Sequence, residues 1–366
     1  MSDPALHVLV PGPLEQRTGG YIYDARIVDG LRRRGWRVAV HELDGRFPEG
    51  DPAARAGLRA ALAGLPDGAR VVIDGLAMGG LPALVQAAAA RLRIVGLAHL
   101  LLADETGLTD RRRADYTASE REALAACAGV VATSGHTAAR VRARGVDAAA
   151  VRVVPPGTDP APPAPGPGPG APPRIFCAAT VTPRKGQDVL VRALAQVADL
   201  EWSCVCAGSL TRAPAFASEV RRLAEDAGLD ARIGFPGECG AAEMEAFYDA
   251  SSLFVLPSHF EGYGMVLTEA LARGLPVVST TGGAIPQTVP PGTGMLAPPG
   301  DAGALAAALR TLLAPGAGAG ERARLAAAAR RYAAGLPDWE ATAEAFGAAV
   351  LALTATPAAG RTGRDR

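Results

Sequence analysis

Asparagine is absent from this 366-residue chain, and of its 37 lysine and arginine residues only Lys185 is lysine. Codons for both scarce types are rich in A and T, so the bias reads as a bacterial genome of high G+C content. It also singles out the one ammonium group that survives. An ammonium is a compact charge on a flexible stem, whereas a guanidinium is a planar fork, so Lys185 marks a position where that difference matters. Cysteine is sparse as well: Cys127, Cys177, Cys204, Cys206 and Cys239 are odd in number and scattered. They fit buried free thiols in a reducing compartment and supply no zinc spacing. An excess of one charge is also missing, because 37 acidic residues cancel the basic ones, which argues against a nucleic-acid partner. No apolar run is long enough to span a bilayer, the longest lying near Ile94–Ala103 with His99 inside it, and the N-terminus lacks a basic segment followed by an apolar core. A cytoplasmic protein with no stable membrane association is expected. Gly75–Gly80 lacks the GxGxxG spacing and no Walker A sequence occurs, so neither a dinucleotide cofactor nor ATP is implied.

What the chain does have is a repeated alternation of short apolar runs with alanine- and arginine-rich helical stretches. Leu6–Val10, Val38–Val40, Val71–Ile73, Ile94–Ala98, Val130–Thr133 and Val151–Val154 read as buried parallel strands of a first α/β domain over residues 1–156. Residues 157–173, PGTDPAPPAPGPGPGAP with its flanks, abandon the period and read as a linker too stiff and polar to pack. The rhythm resumes in a second domain over 174–335, with strands at Arg174–Ala178, Trp202–Ala207, Ile233–Phe235, Leu253–Leu256 and Pro276–Ser279. The fold class is α/β, two Rossmann-like parallel-sheet domains facing a central cleft. A last helix is expected over 336–352 and a disordered tail over 353–366.

The stretch from Pro257 to Val289 carries the most chemistry. A buried strand ends at Pro257, a turn runs over Ser258–Gly264, and Met265, Leu267, Ala270 and Leu271 read as a short helix stopped by Gly274. Gly262 and Gly264 thus stand at a helix entrance, where glycine admits close backbone approach and the helix dipole favours phosphate or sugar oxygens. Glu261 and Glu269 flank that entrance. Eight helical rises span roughly 12 Å, wider than the ~5–9.5 Å between the two carboxylates of a glycoside hydrolase. The pair is better suited to gripping two parts of one elongated ligand, Glu261 the sugar and Glu269 a ribose.

Glu261 and Glu269 with their spacing resemble the E-x7-E signature of the retaining glycosyltransferase family 4 within the GT-B superfamily. Ala178–Leu194, with Arg184, Lys185 and Gly186, resembles that family's phosphate-binding segment, although Thr180 stands where many members carry an arginine. Gly282–Gly283 and Gly294–Asp301 resemble the donor-side loops, Thr18-Gly19-Gly20 the glycine loop facing the acceptor, and Ala98-His99-Leu100 the strand end that meets the donor sugar. The resemblance implies catalytic roles for Glu261, His99, Lys185 and Arg184, and donor binding by Glu269, Gly262, Tyr263, Gly264, Met265, Val266 and Gly186. It implies an acceptor side at Gly19, Gly20, Asp24, Asp104 and Glu105. After Pro337 an apolar stripe of Ala341, Ala345, Phe346 and Val350 would cross back onto the first domain, as in GT-B relatives.

A retaining transfer from a nucleoside diphosphate sugar, UDP-linked by preference, to an acceptor hydroxyl is the expected activity, with no cofactor. No DxD pair occurs, so no metal site is assigned, and Lys185, Arg184 and helix N-termini would carry the diphosphate charge. A near-neutral first domain with Glu15, Asp24, Asp104 and Glu105 near its loops favours a soluble small-molecule acceptor, of secondary metabolism by the inferred source. The alternatives are a glycolipid or polysaccharide glycosyltransferase, a nucleotide-sugar epimerase, and a catalytically lapsed sugar-nucleotide-binding subunit.

Overall fold

The computed structural model describes residues 4–168 and 170–355. It divides into two compact units, one running to Gly157 and taking up the chain again from Pro337, the other spanning Thr158–Leu336.

In the first unit β1 (Ala5–Pro11), β2 (Arg37–Leu43), β3 (Arg70–Asp74), β4 (Arg93–Ala98), β5 (Gly129–Ala132) and β6 (Val151–Val153) form one sheet. All neighbours are parallel, in the order β2-β1-β3-β4-β5-β6. The inner strands β1, β3, β4 and β5 are apolar runs largely buried on both faces, so Leu9, Val71, Ile73, Ile94 and Val130 share a core with the helices packed over them, while the edge strands β2 and β6 are partly exposed. Several of those helices start where a short polar side chain accepts from the first turn, as Asp51 does from Ala54 N (2.9 Å) and Ser134 from Thr137 N (3.0 Å). The strand order reverses at β1/β3, and in open parallel sheets ligands bind beyond the carboxyl ends at that switch point.

The second unit holds β7 (Arg174–Ala178), β8 (Ser203–Ala207), β9 (Ile233–Gly237), β10 (Leu253–Leu256), β11 (Val277–Thr280) and β12 (Gly294–Ala297), in the order β12-β11-β10-β7-β8-β9. Its switch point lies between β7 and β10. β12 was not anticipated, because GMLA is short and only Ala297 is buried, so the segment read as a turn. Cys177, Cys204 and Cys206 sit in the core of this unit as free thiols.

Two segments differ from expectation. The proline-rich stretch does pack: Ala164 N donates to Arg273 O (2.9 Å) and Gly166 N to Asp249 O (2.8 Å). Both carbonyls stand at helix C-termini, which lack intrahelical donors, so an extended segment with free N–H groups satisfies them. The C-terminal helix spans Trp339–Ala355, three residues beyond its expected end. Its buried face is Trp339, Thr342, Ala343, Phe346, Gly347 and Val350, while Ala341 and Ala345 face solvent. A Cβ on Gly30 would lie 2.4 Å from Ala343 Cβ, so the helix Gly19–Arg33 meets this one almost backbone to backbone. Residues 356–366 of the expected tail lie outside the described residues. No single described helix is long and apolar enough to cross a membrane; Ala302–Leu313 and Ala317–Ala333 would do so only together, and they meet at 98°.

Candidate active site

At the second unit's switch point two loops converge, one after β7 and one after β10. Gly186 makes the approach possible. It adopts φ +69°, and a Cβ there would lie 2.4 Å from Pro257 O, so glycine is required both by its dihedral and by space. His259 N then donates to Arg184 O (2.8 Å), fastening one loop to the other. Between them sits Glu261, 5% exposed. Its Oε1 accepts from Lys185 Nζ (2.6 Å) and from Ser258 Oγ (2.6 Å). Arg184 Nη1 lies 3.5 Å from its Oε2 and donates to Phe260 O at 3.0 Å.

Burial by itself would raise the Glu261 carboxyl, but the charges of Lys185 and then Arg184 outweigh it and hold the group below its ordinary value. Burial lowers the Lys185 ammonium, with Glu261 opposing. Two cations face one carboxylate, so the cluster carries a net positive charge suited to a diphosphate. The neighbouring glycines seat Glu261: a Cβ on Gly282 would meet His259 O at 2.2 Å, and one on Gly283 would meet Glu261 O at 2.3 Å.

The helix Met265–Ala272 begins at Gly264, which is left-handed (φ +87°) and offers no side-chain cap, so its first turn remains available to an oxygen ligand. Met265 and Val266 open that turn; Gly262 and Tyr263 form the loop before it, with Tyr263 O held by Thr288 Oγ1 (2.7 Å). Glu269 lies on the helix, its Oε2 accepting from Tyr248 OH (2.9 Å). Glu261 does not lie on the helix. It pairs in a bridge with Gly283, so a span counted as eight helical rises does not describe the two glutamates. Gly300 and Asp301 close the segment, the latter capping Ala304 N (2.8 Å) at the start of Ala302–Leu313.

The first unit's switch point gathers a second cluster. Gly19 and Gly20 open the helix Gly19–Arg33, and a Cβ on Gly20 would lie 3.3 Å from His99 Cδ2, so glycine leaves that ring its room. His99 follows β4. Its Nε2 lies 3.0 Å from Asp24 Oδ1 and 3.8 Å from Asp74 Oδ2, both carboxylates being buried. The three atoms fall within 4.8 Å of one another, and the 3.0 Å separation from Asp24 is that of an ordinary hydrogen bond. Burial, and then the Asp24 charge, push the Asp74 carboxyl up to about 6. Burial would lower the His99 ring, but Asp24 and Asp74 overcome it and raise the ring above its ordinary value.

Asp74 was missed by sequence reasoning. Its signal was an acid closing a buried strand immediately before Gly75. Asp104 faces elsewhere: Arg140 Nε binds its Oδ2 at 3.0 Å and Arg144 stands 3.9 Å away. Glu105 accepts from Thr106 N (2.9 Å), in the same loop.

Residues 46–162 match the model described as Glycosyltransferase Family 4, and residues 172–315 that of Glycosyl transferases group 1. The chain is 32% identical over 183 residues to a GDP-mannose-dependent monoacylated alpha-(1-6)-phosphatidylinositol monomannoside mannosyltransferase of Corynebacterium glutamicum, covering 47% of this chain and 45% of that one. It is 33% identical over 228 residues to a D-inositol 3-phosphate glycosyltransferase of Xylanimonas cellulosilytica, covering 58% and 54%. The chain thus spans about half the length of the curated relatives it matches. Among solved structures, sucrose-phosphate synthase from Thermosynechococcus elongatus superposes with TM-score 0.81 at 23% identity, over 96% of this chain and 99% of that one. Anabaena Alr3699/HepE, solved with UDP and glucose, gives 0.72 at 18%, over 94% and 98%. The chain belongs to the family 4 glycosyltransferases and has their GT-B fold.

Proposed function

We propose that the protein transfers a sugar, with retention of anomeric configuration, from a nucleoside diphosphate sugar to an acceptor hydroxyl. The observation that carries this reading is the Lys185–Glu261–Arg184 cluster at the switch point of the second sheet, beside a glycine-capped helix start. The bond from the sugar's anomeric carbon to the diphosphate breaks, the acceptor oxygen bonds to that carbon, and the hydroxyl proton is released. The leaving diphosphate gains charge as the bond lengthens, and fixed cations lower the barrier when they meet charge that develops in the transition state. Lys185 and Arg184 supply those cations, so no divalent ion is required. Glu269, anchored by Tyr248, would hold the ribose.

A UDP-linked donor was expected, but the names of several relatives specify GDP-mannose, so the base of the nucleotide is set by experiment. A soluble polar acceptor is compatible with the relative named for D-inositol 3-phosphate. A lipid-carried acceptor is the second reading, favoured by relatives named for phosphatidylinositol mannosides and lipopolysaccharide core. The test is a transfer assay with GDP-mannose and UDP-glucose against inositol phosphate and phosphatidylinositol, with EDTA present. Nucleotide release that depends on acceptor, at a rate unaffected by EDTA, supports the reading; absence of release with every donor counts against it.

A further inference from the structure

We infer that Asp24 and Asp74 are positioning residues that lock His99 through one ring nitrogen and hold it as an imidazolium, so that its other nitrogen donates to a sugar hydroxyl. The inference rests on the proposed glycosyl transfer and assigns Asp74 a part in it. Three elements build the device from separate parts of the chain. The helix Gly19–Arg33 brings Asp24, 3% exposed, to 3.0 Å from Nε2. The end of β3 brings Asp74, whose two oxygens divide their tasks: Oδ1 accepts from Leu76 N at 2.8 Å, which fixes the carboxylate, and Oδ2 faces Nε2 at 3.8 Å. Gly75 permits this, since a Cβ there would lie 3.1 Å from Leu97 O.

Among the described residues, Asp24 and Asp74 are the charges that act on the His99 ring. Tyr23 meets the ring edge-on at 5.2 Å and gives its own hydroxyl to Val154 O (3.0 Å), while Thr133 and Thr137 lie 3.5 Å from the His99 carbonyl. Two buried carboxylates facing one nitrogen would form an uncompensated pair of negative charges if the ring were neutral. A protonated ring removes one of them, and low dielectric strengthens that preference. Nε2–H is then committed to Asp24, with the Asp74 charge beside it. Nδ1 has no bonding partner among the described residues, and the side chain is 21% exposed, so Nδ1–H is the donor on offer. The cluster as a whole is still negative by one charge, which repels a phosphate and favours an uncharged hydroxyl.

The test is an NMR titration of the full-length protein labelled in histidine, with the His99 signal assigned through His99→Gln. Wild-type His99 is expected to titrate above the ordinary value of about 6.5, and Asp74→Asn to move the titration to lower pH. Asp74→Glu should restore most of the shift. In the transfer assay Asp74→Asn should reduce kcat/KM at neutral pH by roughly ten- to a hundred-fold, with nucleoside diphosphate affinity unchanged. Wild-type His99 titrating at or below about 6.5 would overturn the inference, and so would an unchanged His99 titration in folded Asp74→Asn. If Asp74→Asn fails to fold, the wild-type titration still decides. The titration needs no substrate, so failure of the glycosyl-transfer reading would be seen separately, as absence of turnover in a protein whose His99 titrates as stated.

Discussion

Replacing Lys185 with methionine keeps the length of the side chain and removes its charge, leaving Glu261 buried with Ser258 and the more distant Arg184. Breaking a buried pair by deleting one partner typically costs about 3–5 kcal/mol. Here Arg184 remains 3.5 Å from Oε2, so a loss at or below the low end of that range, about 2–3 kcal/mol, is expected. For a domain of this size each kcal/mol lowers the melting temperature by about 2–4 °C, which gives a fall of roughly 4–12 °C with the fold retained. The double variant Lys185→Met/Glu261→Gln removes the stranded carboxylate and should recover about 1–2 kcal/mol of that loss. Because the folded Glu261 carboxyl lies below its unfolded value, the pair's contribution is complete above about 4.3 and is lost as pH falls through the folded value. Wild type should therefore lose stability more steeply than Lys185→Met as pH falls below about 4.3. Transfer should fall by roughly a hundred- to a thousand-fold in both variants, because the charge meeting the diphosphate is gone in each. Thermal melts across pH and single-turnover rates measure these effects. A double variant melting no higher than Lys185→Met, or a Lys185→Met protein that melts like wild type, would refute the reasoning.

Gly186→Ala should cost more than the ~1 kcal/mol typical of alanine at positive φ, because its Cβ would collide with Pro257 O, and should weaken nucleotide binding by parting the two loops; calorimetry and melting curves check both. Tyr248→Phe removes the donor to Glu269 Oε2 and should weaken nucleotide affinity by about 1 kcal/mol with little change in kcat, whereas an unchanged affinity would show that Glu269 does not hold the ribose. Deleting residues from Pro337 onward exposes the face of Gly19–Arg33 that Ala343 and Phe346 cover and should abolish cooperative melting, while deletion from 356 should leave the melting temperature unchanged. Sedimentation with anionic liposomes at physiological salt separates the two acceptor readings: a soluble acceptor predicts protein in the supernatant, a lipid-carried one predicts co-sedimentation.

The alternation of apolar runs made eleven of the strands legible, since buried parallel strands need continuous apolar residues and announce themselves. Lys185, Gly186 and Glu261 were visible as candidates too, the first as a lone lysine next to glycine and the last as an acid among glycines. Their mutual bond was not. Lys185 and Glu261 are 76 residues apart, and only the strand order of the second sheet makes β7 and β10 neighbours. Asp74 was hidden for the same reason, as its neighbours come from other elements, Asp24 from the helix Gly19–Arg33 and His99 from the end of β4. The packing of the proline-rich segment could not be read from composition, because the groups it satisfies are helix-end carbonyls of Asp249 and Arg273.

The central claim is that a nucleoside diphosphate is held at the loops carrying Lys185 and Glu261. Calorimetric titration of the full chain with GDP and with UDP tests it most directly. The account predicts one-to-one binding of at least one of them, weakened at least ten-fold in Lys185→Met, as loss of a charge-assisted bond of about 1.5–3 kcal/mol requires. Binding of neither nucleotide, or equal affinity in wild type and Lys185→Met, would contradict it.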